Sequence, residues 1–554
     1  MKKKIFVTLV SLAMVVASFY GCGGDSGQAV EYDDGFGENV LRVTYDHECE
    51  SGDPAQTTSD YIIQLNIFDT LVQTVSTEDG GSELQPGAAE SWEISDDGKT
   101  YSMHLRKGIM FTNGEEMTSD DVLYTVDRML DPERAALNTP WMDMLVGAQD
   151  VLNGKADTVE GKGIIIHDDY NFDIVLNDSY SPFLATLSVP AWSIINREAG
   201  DAADEAGGGV TGTRFGNEPE YTIGSGPFIL KEWVLNDHIY LEANPDYWQG
   251  APKIDGILIK VVSDAETEKM LFDSGQIDIF DLDNARHLIP EYTESEDWKD
   301  NIVEKVVLGV TYLSINENIK PFDDVRVRKA LQMAIDKQAI LDSMYEGTGV
   351  PAHGIYPEGL VAYNENLPEI KYDPEGAKKL LAEAGYPDGF EMTISQTANS
   401  PKDLEINEII QSQLAEIGVT VTIDQMDEAS WYDVRATGEL PMYMATWYAD
   451  FNDPDNFIYT FFSSEATKSR SFNYYNKDAI KRIEDARHNV NEEERMQEYL
   501  DLEELVIQED AAWVPLFHLE KVRVIQDRVK GFVPHWAGWG DCSYYSVDLE
   551  TSEE

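Results

Sequence analysis

The sequence predicts an α/β protein of two or three domains, on three observations. The chain has 554 residues, more than one hydrophobic core usually supports. Hydrophobic residues make up 42% of it and aromatics 10%, enough to bury such cores. Strand-period and helix-period apolar patterns are mixed along the whole body, with no short internal repeat.

Taken in order, the chain opens on Lys2, Lys3 and Lys4, followed by an apolar run from Ile5 to Ala17. That run is too short to span a bilayer and fits the core of a signal peptide over residues 1–21, so export is expected. It closes on Phe19-Tyr20-Gly21-Cys22, and the small, polar stretch after it cannot bury a core and reads as a flexible tether over 22–39. Small residues before a cysteine and a soft linker after it resemble a bacterial lipobox, which implies lipid on Cys22; Phe19 stands where lipoproteins usually carry Leu. Plain secretion with cleavage elsewhere is the alternative. No later segment is long and apolar enough for a membrane-spanning helix.

A strand-like stretch over 41–46 begins the body. Trp92 and Ile94, then Tyr101, Met103 and Leu105, alternate as strands around the turn Asp96-Asp97-Gly98, which predicts a hairpin. Thr118 with Asp121 three residues on reads as an N-cap, and Val122, Leu123, Val126, Met129 and Leu130 form one apolar helix face that stops near Asp131-Pro132. Farther on, Asp373 caps a helix, Pro374 fits its first position, Ala377, Leu380, Leu381 and Ala384 make its buried stripe, and Gly385 ends it.

The charge balance is 41 basic against 103 acidic residues, a formal net charge of -62. Such a surface repels nucleic acid and anionic lipid heads. Its main effect is solubility, so charge alone names no substrate.

Several chemistry-like strings have plainer readings. Arg326, Arg328 and Lys329, beside Asp323, Asp324 and Asp336, are expected to form a salt-bridged helix face rather than an anion site. Gly224-Ser225-Gly226-Pro227 lacks the Lys-Ser/Thr pair of a phosphate loop and reads as a tight turn at a domain crossing. Gly207-Gly208-Gly209 reads as a flexible loop. The GDSG string at 24–27 lies in the tether with no scaffold around it. There is no HExxH and no paired CxxC, so neither a metal nor a cofactor is expected. Asp450, Asn452, Asp453 and Asp455 imitate a calcium loop, but Pro454 falls where a ligand is required. Asp450 with Asp453 would also serve a glycosidase, which keeps a secreted hydrolase as the alternative from another class.

The most informative stretch is WYADFNDPDNF at 447–457, which sets Asp450 close to Trp447 and Tyr448. A carboxylate held against an indole and partly out of water grips a cation strongly, which suits a peptide's free amino terminus. This stretch resembles the ligand-gripping segment of family 5 extracellular solute-binding proteins, the peptide and nickel receptors of ABC importers. The resemblance extends through AESW, DG, LRKGIMFTNG and the helix near DDV, then GSGPFILKEW at 224–233, LEANPDYWQGAPKID at 241–255, SGQIDI at 274–279, PFDDVRVRKALQMAIDKQAI at 321–340 and DPEGAKKLLAEAGYPDG at 373–389. It covers the chain from about residue 40, and its specificity lies in collinear order.

The resemblance implies a two-lobed, periplasmic-binding-protein-like fold of three domains with a noncontiguous first lobe. Domain I would take 40–66, 216–302 and 517–554, domain II 67–215, and domain III 303–516. It implies a monomeric receptor without catalytic activity that closes on a short peptide and delivers it to ABC permease and ATPase subunits, lipid-anchored outside the cell. Asp450 would pair with the ligand's α-amino group, and Trp447, Tyr448 and Trp431 would line its cavity, a place in the core being the alternative for Trp431. With Cys22 lipidated, Cys49 and Cys542 remain as a pair in an oxidising compartment, and the shared lobe makes a bridge geometrically reasonable; two independent thiols is the other reading. Pro441 replaces an Asp of the peptide binders, trimming a strand start. Met444 replaces a basic residue of the oligopeptide type and removes one partner for a peptide carboxylate. Oligosaccharide and metal-chelate receptors of the same family remain alternatives.

Overall fold

A computed structural model describes residues 34–77, 81–212 and 214–550. The predicted signal segment and Cys22 lie outside the described residues. The described residues from 38 on form one compact unit, organised as several sheets whose strands come from distant parts of the chain.

The first sheet shows how far the chain travels. Val40–Tyr45 pairs in parallel with Gly256–Val261, Val40 opposite Gly256, and His238–Ala243 and Phe228–Val234 extend the sheet antiparallel. A parallel pair requires a crossover, and here more than two hundred residues of chain lie between the partners. Leu41, Val43, Leu230, Ile239, Leu241 and Ile257 fill its core together with Cys542, Tyr544, Val547 and Leu549 from the other end of the chain. A second sheet repeats the pattern, with Glu520–Ile525 between Ile279–Asp281 and Ile302–Val306.

The excursion after residue 67 builds its own antiparallel sheet, in the order 89–94, 100–105, 171–175, 164–168. Its first two strands are the predicted hairpin, with Trp92 opposite Met103 and Gly98 at φ 67° in the turn. The helix Ser119–Leu130 covers this sheet. The Thr118 backbone N–H donates to the Asp121 carboxylate at 2.9 Å, and the reciprocal bond completes a capping box, as the sequence predicts.

In the last large region, Gly309–Ser314 lies between Met444–Tyr448 and Trp513–His518. All six of its residues are buried, because it is central in its sheet and packed on both faces. The parallel pair 391–397 and 420–426 is joined by the helix Pro401–Glu416. Asp373 caps the helix Pro374–Glu383 by accepting from the Gly376 N–H at 2.8 Å, and Gly385 follows at φ 98°.

Three expectations are corrected. Arg328 is not on a solvent-facing salt-bridged surface: it is 1% exposed, lies 3.4 Å from Glu317, and donates to the carbonyls of Phe322, Asp510 and Ala511. Its guanidinium satisfies backbone carbonyls, two of them from a distant segment, which spacing along one helix does not reveal. Gly207-Gly208-Gly209 is not a free loop, because Gly207 ends the helix Arg197–Gly207 and Gly208 caps it at φ 82°. Cys49 and Cys542 are buried in the same apolar cluster but stand as two free thiols, so no bridge joins them here.

The turn at Gly224-Ser225-Gly226-Pro227 is where two chain passages touch. A Cβ on Gly224 would lie 1.8 Å from the Ile67 carbonyl oxygen, and one on Gly226 2.6 Å from the Ile67 carbonyl carbon. Ser225 fixes the contact by donating to Asp69 at 2.7 Å. Gly224→Ala should therefore destabilise the protein by at least about 2 kcal/mol, since backbone must move to admit the methyl. Gly540→Ala, with no atom within 4 Å of the added carbon, should change little; thermal unfolding of the two variants against the wild type checks this.

Candidate functional site

The strand Met444–Tyr448 runs into a short loop and then the helix Asp455–Phe462. Loop side chains anchor it in several directions. Asp453 takes both guanidinium nitrogens of Arg495 at 2.8 and 2.7 Å. Asp455 accepts from Tyr499 at 3.0 Å and from Arg487 at 3.0 Å. Asn452 donates to Ser82 at 2.6 Å, and Phe451 packs with Ala185, Val189 and Ala191, edge-on to Trp141 at 6.0 Å. Asp453 and Asp455 are thereby committed to arginines. The superficial calcium loop and the Asp450–Asp453 acid pair of the sequence are a scaffold.

That scaffold aims Asp450. Its N–H donates to Asn456 Oδ1 at 2.9 Å, and Asn456 Nδ2 returns a bond to Asp450 Oδ2 at 3.0 Å. An amide fixes the carboxylate without neutralising it. Among the described residues Asp450 has no ion pair. Burial pushes its carboxyl up to about 6, opposed by the Asn456 bond and by Arg470. Protein surrounds the group closely while part of its surface still opens on a cavity.

Two cavities meet at this residue. The larger, of about 690 Å³, is lined by Tyr45, Asp60, Tyr61, Trp447, Tyr448 and Asp541 among others; the smaller, of about 390 Å³, by Phe68, Asp69, Tyr247, His535 and Trp536 among others. Asp450 and Trp539 line both. The volumes fall in the range of small-molecule and cofactor sites.

Trp447 and Tyr448 thus stand beside Asp450 in the larger cavity. Trp447 is braced edge-on by Phe461 at 5.5 Å and covered by the Arg470 guanidinium at 5.1 Å. Trp431 is elsewhere: 6% exposed, it packs edge-on against Tyr432 and Tyr443, each at 5.1 Å, and lines neither cavity. Its packing corresponds to the core alternative, because the one-sided pattern of a helix does not tell which buried face meets a cavity.

The segment His535–Cys542, HWAGWGDC, was not singled out from the sequence, yet it supplies walls to both cavities. Trp539 donates its indole N–H to the Ala449 carbonyl at 3.1 Å, directly beside Asp450, and stacks on His535 at 4.3 Å. Asp541 accepts from the Tyr61 N–H at 3.0 Å. The available signal was two tryptophans and an aspartate spaced by glycines, where backbone can approach closely.

The profile described as bacterial extracellular solute-binding proteins, family 5 middle, matches residues 83–469. Among curated relatives, the heme-binding protein A of Haemophilus influenzae is 32% identical over 86% of this chain and 86% of its own length. The dipeptide-binding protein of Escherichia coli is 31% identical over 82% and 84%. Among solved structures, the periplasmic binding protein DppA of Helicobacter pylori in complex with the peptide STSA superposes with a TM-score of 0.72 at 28% identity, over 92% of this chain and 98% of that one.

The raised carboxyl of Asp450 has a consequence for stability. Its folded pKa lies above the ordinary 3.8, so the folded state holds the proton more tightly, and ionisation between pH 4 and 6 weakens folding. With the ligand removed, Asp450→Asn should raise stability at pH 8 by up to about 2 kcal/mol, after allowance for the water that still reaches the group. The difference should vanish near pH 4; melting temperatures of the ligand-stripped proteins at the two pH values check it.

Proposed function

This chain belongs to the bacterial extracellular solute-binding proteins of family 5, and we propose from that premise that it is the receptor of an ABC-type peptide importer. It captures short peptides in the cleft at Asp450 and passes them to a membrane permease. The observation that carries the reading is a well-positioned, half-buried carboxylate with no ion pair among the described residues, facing a cavity with aromatic walls. An α-ammonium group placed there forms a charge-assisted hydrogen bond in a site already largely free of water, where such bonds are strong. Trp447 and Tyr448 bound the same cavity and give the ligand an amphipathic surface to lie on. Among the relatives, the protein from Escherichia coli is named for dipeptide binding and the one from Helicobacter pylori holds the peptide STSA.

The separation of the apolar clusters supports the domain division expected from sequence. One cluster unites residues of the 40s, 60s, 220s to 250s and 540s, joined by Tyr124, Ile195, Ala203 and Phe215 from the expected second domain; another lies within 55–194, and two more fall mainly within 308–517. Hinge motion between such bodies closes the cleft, and a permease that recognises the closed form receives only loaded receptor. Lipid on Cys22 tethers the receptor at the outer face of the membrane.

The test is a paired titration. Asp450→Asn should weaken binding of a free-amine dipeptide by about tenfold or more, the value of a charged hydrogen bond, and leave the weaker binding of its N-acetyl form nearly unchanged. Equal losses for both ligands in calorimetry would remove Asp450 from the amine role.

A further inference from the structure

The larger cavity contains a second carboxylate that amine capture leaves unused. Asp541 is 4% exposed. One of its oxygens, Oδ2, accepts from the Tyr61 N–H at 3.0 Å, while Oδ1 is buried and has no hydrogen-bond donor. The single Tyr45 hydroxyl is shared: it donates to Asp60 at 3.3 Å and also interacts with Asp541. A buried carboxylate oxygen without a donor is expensive, and it lies in the wall of a cavity large enough for a ligand.

The other acids of that cavity are already served. Asp283 is paired with Arg286 at 2.8 Å and with Lys521, and Asp281 with Arg523 at 3.2 Å. Glu268 accepts from Thr44 at 2.5 Å. Asp60 receives the Glu50 N–H at 3.0 Å, the Tyr45 hydroxyl, and His47 at 3.2 Å; His47 also contacts Asp46 at 2.5 Å. Asp541, Glu268 and the half-buried Asp450 have no ion pair among the described residues, and of these Asp541 is the one with a buried oxygen left without a donor. No group of three His, Cys, Asp or Glu side chains among those residues is arranged to hold a metal, so the complement is an organic cation.

Tyr61 lines the same cavity as both acids, and its N–H bonds Asp541. Tyr61 also packs on Trp539 at 5.5 Å, giving an aromatic wall along which a methylene stem can lie. With the α-ammonium at Asp450, a basic side chain leaving the same carbon lies in the cavity that Asp541 also lines, and a lysine carries its ammonium on a flexible four-carbon stem.

We infer that Asp541 forms a subsite for a basic side chain on the first residue of the bound peptide, so that the receptor favours ligands with an amino-terminal lysine or arginine. This rests on the amine-capture reading of Asp450. It adds a specificity that the reading alone does not contain.

The ligand-stripped protein is titrated calorimetrically with Lys-Ala and with norleucyl-Ala, which has the same stem length without the charge. The wild type should bind Lys-Ala about tenfold more tightly or better. Asp541→Asn keeps an oxygen for the Tyr61 N–H and should erase that difference while leaving norleucyl-Ala affinity within about twofold. Equal affinity of the wild type for the two peptides overturns the subsite and leaves amine capture standing, as does a preference that survives in Asp541→Asn. Binding of neither peptide overturns the amine-capture reading and this inference with it. Should the variant fail to fold, as judged by circular dichroism, the wild-type comparison still decides, because a lysine preference below about twofold refutes the subsite.

Discussion

One arrangement organises the loop at 449–456: Asp450 is held in place by an amide and, among the described residues, without a cation. Three carboxylates sit within six residues of one another there, and the protein treats them differently. Asp453 and Asp455 receive guanidinium groups from Arg495 and Arg487. Asp450 receives the amide of Asn456. An arginine at that position would satisfy the carboxylate permanently and leave nothing for a ligand to do. The buried Arg495 pair and the half-buried Arg487 pair hold the loop so that an amide suffices at Asp450; removing Arg495 would strand a buried charge at a cost of about 3–5 kcal/mol.

The sequence was legible where the relevant interactions are local. Thr118 and Asp121 cap a helix through atoms three residues apart, Asp96-Asp97-Gly98 turns a hairpin, and Asp373 and Gly385 bracket a helix; each follows from short-range chemistry. Asp450, Trp447 and Tyr448 also lie together in one cavity, since they share one strand end. What escaped sequence reading depends on partners from far along the chain. Arg328 looked like a surface residue because its carbonyl partners at 510 and 511 are invisible from its own helix. Asp541 carries no signal of its own in the sequence, because its setting arises only when the Tyr61 backbone and Asp60 are brought beside it. Trp431 was ambiguous for the same reason: whether a buried aromatic faces a core or a cavity is decided by what packs on the other side.

The long-range returns that obscure the site also build it. The segment 535–542 reaches the Ala449 carbonyl through Trp539 and the Tyr61 N–H through Asp541. It thus touches both walls of the larger cavity from a third direction. The turn at Gly224 lies against Ile67, the passage by which the chain leaves the first sheet's neighbourhood. Connections of this kind must be thin and closely packed if bodies on either side are to move as units, and glycine is the residue that lets two backbones come so near.

Burial, rather than a neighbouring like charge, is the dominant force raising the Asp450 carboxyl. The penalty on its ionised form therefore depends on how much water the cleft admits. An open cleft hydrates the carboxylate and lowers that penalty; a closed, empty one enlarges it. A ligand shifts a conformational equilibrium only through its differential interaction with the two states. An ammonium group in the closed cleft supplies that difference, since it offsets the desolvation of Asp450 where the offset is largest. A neutral ligand of the same shape contributes contact area and leaves the charge uncompensated. In the proposed receptor, the same carboxylate that disfavours closure around nothing would favour closure around a cation, and capture and conformational change would be one event.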